Sequence, residues 1–402
     1  MTGVEIRPLA PGEERAAFEV LGRALHTTVT DDLWARRADS FPAERRFAAV
    51  SGGQPVGVAG SFATRLTVPG GTTLPAAAVD GVAVRADHTR RGILTALMGA
   101  QLRDCADRGD VVALLHASEA TIYGRFGYGV ATRSQALRLG APGGRAALRP
   151  DAPAGGAVRM LSTDAAQEVL PGLYAALPRR AGGIERTPLW WAYARARLIG
   201  DHVAVVHTGP DGDDGFALYR TVDQRTFDQP NLGAALVVAD LHAADAHALA
   251  GLWRFLLRVD LVAEVRAPGR PLDDPVPLML TDPRTCRVTG VDDQCWLRLI
   301  DVPAALAARA WGPGAPVVVE VDDPLLTRNS GRYRITPDGA CRTDAEPGLR
   351  IPVDALAMLY LGDRTVSELA AAGRIEVSDP EVVPRADALV GAVVSPWCGT
   401  PF

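Results

Sequence analysis

The sequence predicts a chain of α/β and α+β domains. Its 402 residues exceed what one hydrophobic core usually serves, and this length suggests roughly two to four domains. The stretch from Val82 to Gly129 has the pattern strand, basic glycine turn, helix and strand, which is typical of an α/β unit. A similar pattern recurs later in the chain, and the remaining residues mix strands with short helices.

The composition predicts a globular protein without a nucleic-acid or membrane partner. The formal charge of −5 argues against general nucleic-acid binding and is compatible with a cationic substrate. Met1 to Val20 is too polar for a signal peptide, and no apolar run is long enough for a membrane span, so we expect a cytoplasmic protein. The five cysteines are scattered without metal-ligand spacing, which predicts reduced thiols and no metal site.

The first unit, residues 1–140, begins with a strand and a helix and continues with antiparallel strands. Val4 to Leu9 alternates as a strand does, and Pro11 to Leu25 has helical periodicity. Three further strands are predicted from apolar patterns bounded by glycine turns: Phe47 to Val50, Val56 to Ser61 and Thr64 to Val68. The unit ends near Leu139.

The centre of this unit predicts an anion site. Val82 to Val84 is a short apolar strand, and Val111 to Leu115 is apolar enough for a buried parallel strand. Between them, one face of a predicted helix carries Leu94, Leu97, Met98, Leu102 and Cys105. The helix opens with Arg90, Arg91 and Gly92, so its unpaired N–H groups and positive dipole end suit a phosphate or pyrophosphate.

A linker separates this unit from a second one that resembles it. Residues 141–157 hold three prolines and four glycines. Beyond them, within residues 158–290, Leu236 to Leu256 echoes the pattern of Gly81 to Leu102. The position of the basic turn falls near Asp245, which would repel a phosphate. A duplication whose second copy cannot bind the anion explains this, and chance similarity of two α/β units is the alternative.

The third region, residues 291–402, predicts an α+β domain. Its strand patterns are Trp296 to Ile300, Val317 to Val321 and Arg332 to Ile335. Asp354 is predicted to cap a helix that runs through Leu361, and Thr365 with Glu368 forms a capping box for another.

Two motifs carry a family resemblance. The string HASEATIYGRFGYG from His116 to Gly129 and the chain end PWCGTPF resemble the Eis (enhanced intracellular survival) family of GNAT N-acetyltransferases. The resemblance implies tandem GNAT domains, the first active and the second degenerate, followed by a sterol carrier protein-like α+β domain. The GNAT signature Arg/Gln-x-x-Gly-x-Gly/Ala departs here at Thr89 and at Leu94.

The resemblance also implies acetyl-CoA as co-substrate, with no metal. Main-chain groups of Val82, Ala83 and Val84 would align the pantetheine arm, as a peptide adds to a strand edge. The pyrophosphate would lie on the turn formed by Arg90, Arg91, Gly92, Ile93, Leu94 and Thr95, and the family places Ser118 and Glu119 beside the same cofactor.

Two catalytic groups follow from the resemblance. Tyr123 matches the tyrosine that protonates the coenzyme A sulfur, and a phenol is close to a thiol in acidity. The alternative is that Tyr123 is one more half-buried aromatic residue. The base is the α-carboxylate of the last residue, here Phe402, whose apolar surroundings in sequence suit a buried terminus.

Substrate residues are the least defined. Thr27, Gly81 and Pro401 align with substrate-pocket positions of the family, and His26, Asp31, Asp32 and Trp34 either line that pocket or lie on the surface. His116 is interpreted as a hydrogen-bonded structural histidine, and Trp190 with Trp191 as core or interface aromatics. Thr27 and Pro401 replace acidic groups and Gly81 replaces an aromatic one, which would open the pocket and reduce its charge.

The resemblance implies a small-molecule or peptide amine substrate, of aminoglycoside, lysine or polyamine type, and a homohexamer. A protein lysine acetyltransferase would share the mechanism but need a peptide-sized groove. The competing class is a non-enzymatic protein that sequesters an apolar or cationic ligand on a GNAT and carrier-like scaffold.

Overall fold

The computed structural model describes residues 3–140, 146–224 and 233–402, so the first five residues of the predicted linker lie outside it. The chain forms two compact units. Unit 1 comprises Met1–Thr132, Arg180–Ala192 and Gln294–Phe402, and unit 2 comprises Arg133–Arg179 and Tyr193–Asp293. Within the described ranges, no helix combines the length and the apolar character needed to cross a membrane.

The strands are, in chain order, β1 (Glu5–Pro8), β2 (Arg46–Ser51), β3 (Gln54–Thr67), β4 (Thr73–Val84), β5 (Val112–Leu115), β6 (Gly129–Leu139), β7 (Ala157–Leu161), β8 (Val203–Gly209), β9 (Gly212–Val222), β10 (Ala234–Ala243), β11 (Val262–Arg270), β12 (Cys286–Leu299), β13 (Val317–Asp322), β14 (Gly331–Thr336), β15 (Gly339–Arg342), β16 (Leu349–Pro352) and β17 (Glu376–Val377). The α-helices are α1 (Glu14–Ala24), α2 (Asp31–Arg37), α3 (Ile93–Asp107), α4 (Ala120–Tyr123), α5 (Thr163–Ala176), α6 (Pro188–Ala194), α7 (Ala246–Leu256), α8 (Val276–Met279), α9 (Val302–Ala308), α10 (Val353–Tyr360), α11 (Val366–Ala371) and α12 (Val382–Val390).

The N-terminal sheet of unit 1 has the order β1-β2-β3-β4-β5-β12. The first four strands are antiparallel neighbours, β5 is parallel to β4, and β12 is antiparallel to β5. Helix α3 covers one face, with Leu97, Met98, Leu102 and Cys105 buried as the periodicity predicts. Helix α1 covers the other face, where Phe18 packs against Phe41.

The structure corrects two strand predictions in this sheet. The predicted strands Val56 to Ser61 and Thr64 to Val68 are one continuous strand, β3, because Phe62 and Ala63 between them pair with β4 without a turn. The predicted strand Val82 to Val84 is only the end of β4, whose earlier half is rich in alanine and so lacks the bulky residues on which strand patterns depend.

Unit 2 has the strand order β6-β11-β10-β9-β8-β7. Strands β7 to β10 are antiparallel neighbours, β11 is parallel to β10, and the end of β6 is antiparallel to β11. This repeats the pairing pattern of β1 to β5, so the echo seen in the sequence corresponds to a repeated topology. The core lies under α7, where Leu252, Trp253 and Leu256 are fully buried.

The C-terminal part of unit 1 contains a second sheet with the order β15-β14-β13-β16-β17. Two details differ from the prediction. Trp296–Leu299 of β12 pair with β5 of the N-terminal sheet and not with this one. Asp354 lies in the first turn of α10, and Pro352 is the residue that caps it. The capping box of Thr365 and Glu368 is present as predicted. The domain boundaries at residues 140, 157 and 290 stay predictions.

Candidate active site

The site begins where β4 and β5 separate. Ala76 to Ala78 pair with Val112 to Leu114, and β5 ends one residue later at Leu115. Strand β4 continues to Val84, paired on its other side with β3, and its register shifts opposite Ala59. Such a bulge bends and twists the strand that carries it. Main-chain groups of β4 beyond Ala78 therefore face a gap next to β5, where an extended ligand arm can add to the edge.

The N-terminus of α3 lies directly beyond the end of β4. Gly92 is the N-cap residue with φ +77°, and Arg90 also has a positive φ of +58°. Within the described residues no side chain caps this end of the helix. The amides of Ile93, Leu94 and Thr95 thus have no helical acceptor, and Arg90, Arg91 and Gly92 are exposed. A pyrophosphate would fit here, because the site offers backbone N–H donors, the positive end of a helix dipole and two exposed guanidinium groups.

The corresponding helix of unit 2 is closed to an anion. Asp245 is the N-cap of α7, and its carboxylate accepts hydrogen bonds from the amides of His247 (2.8 Å) and Ala248 (2.9 Å). The donors that α3 leaves open are therefore occupied here by a side chain that is itself negative. This agrees with the sequence analysis, which assigned the anion site to the first copy.

Tyr123 is buried beside the predicted cofactor segment. It ends α4, shortly after β5, and is 6% exposed. Its ring belongs to an apolar cluster against which Val82 of β4 and Leu94 of α3 pack. Burial, together with the nearby charge of Glu119, raises the pKa of Tyr123 above its usual value near 10. Ser118 and Glu119 are exposed at the start of the same segment.

The end of the chain lies at the point where β4 and β5 separate. The ring of Phe402 makes an edge contact with Phe62 at 6.0 Å between centroids and a closer one with His116 at 4.5 Å. Phe62 pairs across β3 and β4 with Ala78, the last β4 residue that also pairs with β5. His116 directly follows β5. Phe402 thus contacts the segment that follows β5, and Tyr123 is part of that segment.

The backbone before Phe402 is held by hydrogen bonds to successive carbonyl groups. His116 Nε2 donates to the carbonyl of Thr400 at 3.1 Å, and Trp190 Nε1 donates to that of Pro401 at 2.7 Å. Arg186 donates to the carbonyl of Gly399 and to the hydroxyl of Thr400, both at 3.1 Å. His116 is accordingly a hydrogen-bonded histidine, as expected. Its pKa is raised because contacts with Cys398 and with backbone carbonyls outweigh the opposing effect of burial.

Sequence reasoning missed Arg186 and assigned Trp190 only a packing role. Trp190 is 2% exposed and Arg186 is 5% exposed, so both are buried, but both also contact the chain end. Neither residue lies in a recognisable motif. Both residues are placed by the pairing of residues 182–185 with the end of β3. That pairing depends on the tertiary fold, so a local sequence pattern does not reveal it.

The predicted substrate residues differ in burial and in their contacts. Trp34 is half-buried and packs against Phe18 at 5.5 Å between ring centroids, whereas Thr27 is exposed. His26 and Asp32 are also exposed, and Asp31 forms an ion pair with Arg15 at 2.5 Å. Pro401 is exposed apart from the carbonyl that Trp190 binds.

Gly81 has a polar neighbourhood that the sequence did not reveal. The adjacent Asp80 forms a bidentate pair with the buried Arg46, at 2.9 and 3.1 Å. The guanidinium of Arg46 lies 3.7 Å from the centroid of the Phe41 ring. A side chain on Gly81 would approach both Arg46 and Phe41, so the surroundings of this predicted substrate residue are closely packed.

Comparison with protein families divides the chain into three domains in the order that the resemblance implies. Residues 5–131 match a GNAT acetyltransferase domain model, residues 182–299 match a second GNAT model, and residues 302–399 match a sterol carrier protein domain model. The predicted fold class, two GNAT domains followed by a sterol carrier protein-like domain, is confirmed. The GNAT domain implies use of acetyl-CoA.

Relatives cover almost the whole chain. An uncharacterized N-acetyltransferase of Streptomyces avermitilis is 34% identical over 99% of this chain and 99% of its own. The N-acetyltransferase Eis of Mycobacterium tuberculosis is 37% identical over 84% of this chain and 83% of its own. The crystal structure of Eis1 from Mycobacterium abscessus superimposes with a TM-score of 0.87 at 38% identity, covering 99% of this chain and 100% of that one. With this identity over most of its length, the chain belongs to the Eis family of GNAT N-acetyltransferases.

Proposed function

We propose that this chain transfers the acetyl group of acetyl-CoA to a primary amine of a cationic substrate, with Tyr123 as general acid and the α-carboxylate of Phe402 as base. The observation that carries the proposal is the position of Phe402. Its ring lies on His116 and Phe62 at the separation of β4 and β5, while Tyr123 lies farther along the segment after β5.

The residues proposed for the co-substrate lie on two adjoining elements. Val82, Ala83 and Val84 would accept the pantetheine arm along the edge of β4. The pyrophosphate would rest on the turn and first helical residues of α3, which are Arg90, Arg91, Gly92, Ile93, Leu94 and Thr95. Ser118 and Glu119 would contact the same cofactor. When bound, acetyl-CoA supplies the activated thioester carbonyl.

Tyr123 would supply the proton that the departing sulfur needs. Because burial raises its pKa, the phenol stays protonated throughout the physiological range. An ordinary phenol is close in acidity to a thiol, and the raised pKa of Tyr123 makes proton transfer to a thiolate less favourable than in that balanced case. The packing of Tyr123 against Val82 and Leu94 fixes its ring close to the proposed cofactor path.

Phe402 would act through the carboxylate that it carries as the last residue of this sequence. A carboxylate is a weak base, so its contribution is to hold the amine, directly or through a water molecule, and to accept its proton as the N–C bond forms. The half-buried ring of Phe402 and the hydrogen-bonded carbonyls before it restrict where that carboxylate can lie.

The substrate class follows from the charge around the pocket. Thr27 and Pro401 bring no acidic group, so the proposed negative group at the amine is the carboxylate of Phe402. We therefore propose an amine of moderate positive charge, of aminoglycoside, polyamine or lysine-peptide type. Comparing kcat/KM across these three classes, with acetyl-CoA saturating, identifies the substrate.

A lipid-sequestering role finds little support in the small apolar cavity of the carrier-like domain, and an open cleft of about 550 Å³ on the same domain is lined by charged residues, among them Glu320, Arg350 and Glu376. The apolar cavity lies among Trp311, Ile335, Leu356 and Tyr360 and has a volume of about 20 Å³. A cavity of that size holds about one water molecule and no lipid chain.

Assembly and location are carried over from the family. We propose a homohexamer, which light scattering tests through the mass in solution. The five cysteines are free thiols, which suits a cytoplasmic protein.

The proposed reaction is tested by release of free thiol from acetyl-CoA in the presence of each amine. Tyr123→Phe should lower kcat at least about 100-fold, the range expected for loss of a general acid, with KM for acetyl-CoA little changed. Tyr128→Phe is the matched control, because it removes a neighbouring buried phenol whose ring lies 6.0 Å from that of Tyr123. Equal activity of the Tyr123→Phe and wild-type proteins would rule out the acid role.

A further inference from the structure

The chain end is held by a group of side chains that come from a distant part of the sequence. We call Arg186 and Trp190 the tail clamp. Residues 182–185 pair with the end of β3 through hydrogen bonds between Thr67 and both Gly182 and Gly183, and between Arg65 and Glu185. This pairing places Arg186 near the end of the chain, and α6 begins two residues before Trp190.

The clamp binds two backbone carbonyls and the hydroxyl of Thr400, not the side chain of Phe402. Trp190 donates to the carbonyl of Pro401 at 2.7 Å, and Arg186 donates to the carbonyl of Gly399 and the hydroxyl of Thr400 at 3.1 Å. The Arg186 guanidinium also lies 4.2 Å from the centroid of the Trp190 ring. The two side chains therefore support one another while they fix three consecutive residues.

Such an arrangement is unusual for a chain end. Terminal residues are ordinarily frayed and solvated, and the last residues of a chain rarely recruit buried polar side chains. Here Arg186 and Trp190 are each at least nine-tenths buried, and Thr400 is 1% exposed. A buried guanidinium used on two tail groups restricts the backbone to one path. Since Pro401 has a fixed φ, little freedom is left between the clamp and the carboxylate of Phe402.

We propose that Arg186 and Trp190 are positioning residues for acetyl transfer, which hold the backbone of Gly399 to Pro401 so that the terminal carboxylate stays at the reacting amine. This inference rests on the proposed function of Phe402. Neither residue touches substrate: each acts through the tail. Losing one clamp contact should therefore loosen the tail and lower kcat without changing how acetyl-CoA binds.

The test compares Trp190→Phe and Arg186→Gln with a control of the same chemistry. Trp311 is also buried, donates its indole N–H to a backbone carbonyl, that of Leu306 at 3.1 Å, and lies under an arginine, Arg309, at 4.5 Å. It lies in the carrier-like domain, so Trp311→Phe removes a similar hydrogen bond without touching the tail. Hydrogen–deuterium exchange of a peptide spanning residues 395–402 reports the tail directly, and thiol release reports kcat and KM.

In both clamp variants we expect the tail amides to exchange about tenfold faster and kcat to fall about tenfold. This is the effect expected from the loss of one ordinary hydrogen bond. KM for acetyl-CoA should stay within about twofold, and Trp311→Phe should match the wild type in both readouts. Tail exchange and kcat like those of Trp311→Phe would overturn the proposal. Faster exchange with unchanged kcat would also overturn the positioning role, as would a lower kcat with unchanged exchange.

Failure of this inference can be told apart from failure of the proposed function. Deleting Phe402 tests the base role without touching the clamp. If that deletion abolishes turnover while the clamp variants do not, the clamp proposal alone is wrong. If the deletion leaves turnover intact, the base role is wrong, and the exchange measurement still shows whether Arg186 and Trp190 hold the tail.

Discussion

Replacing Gly399 by alanine should release the tail through two separate costs. Gly399 has φ +60°, and a left-handed conformation costs an alanine about 1–2 kcal/mol. Its new Cβ would also lie 2.5 to 2.7 Å from three atoms of the Trp397 indole, closer than atoms can approach without movement. Overpacking of this kind costs about 1–3 kcal/mol, so the sum is about 2–5 kcal/mol.

We expect the tail to relieve this strain by leaving its site while the rest of the chain stays folded. Even the lower figure of about 2 kcal/mol corresponds to about a 30-fold change in the ratio of docked to released tail. In Gly399→Ala we expect the amides of residues 395–402 to exchange faster and kcat to fall at least about tenfold. The midpoint of global unfolding in urea should stay nearly unchanged.

Gly373 provides the matched control. It has φ +66°, and nothing lies within 4 Å of a Cβ built on it. Gly373→Ala therefore carries the conformational cost alone and should leave tail exchange and kcat unchanged. Wild-type exchange and full kcat in Gly399→Ala would show that Trp397 yields without strain, and would refute the reasoning.

Three further predictions concern buried polar groups. Asp323→Asn should lower the free energy of unfolding in urea by about 3 kcal/mol or more, because the fully buried Arg298 would lose the carboxylate it contacts at 2.7 and 2.8 Å; a loss below about 1 kcal/mol would contradict this. Tyr128→Phe should leave stability unchanged or raise it, because within the described residues the buried Tyr128 hydroxyl has no hydrogen-bond partner; a lower unfolding midpoint would count against it. The phenol of Tyr123 should ionise only above pH 10, since burial raises its pKa, and the tyrosinate absorbance lost in Tyr123→Phe measures this; ionisation near neutral pH would be inconsistent with the packing.

Local sequence predicted the parts of the site that depend on local structure. The periodicity of α3 and the apolar run of β5 follow from side chains facing one sheet, and the structure has both. The contrast between the two helix N-termini was also predictable, because an arginine pair before one helix and an aspartate before the other have opposite charges at equivalent positions. These features need only a few neighbouring residues to be specified.

The rest required contacts across long separations. Trp296–Leu299 pair with β5, although nearly two hundred residues of other structure intervene, and no strand pattern reveals a partner so far away. The clamp residue Arg186 reaches Thr400 because residues 182–185 pair with the end of β3, which local sequence does not predict. Asp80 likewise reaches the buried Arg46 because both residues lie opposite Gly60 on neighbouring strands.

The central claim is that the terminal carboxylate of Phe402, and not its ring, takes part in acetyl transfer. Cys398 lies four residues before the end, so the peptide CGTPF can be joined to residues 1–397 by native chemical ligation without any foreign residue. One product carries the natural carboxylate and the other a carboxamide, which differs only by the loss of the charge.

The two ligated proteins are compared in thiol release at saturating acetyl-CoA and amine. We predict that the carboxamide form loses at least about 100-fold in kcat while its tail exchange and its KM for acetyl-CoA match those of the carboxylate form. Equal kcat of the two forms would contradict the account, because a neutral amide cannot accept the proton of the attacking amine.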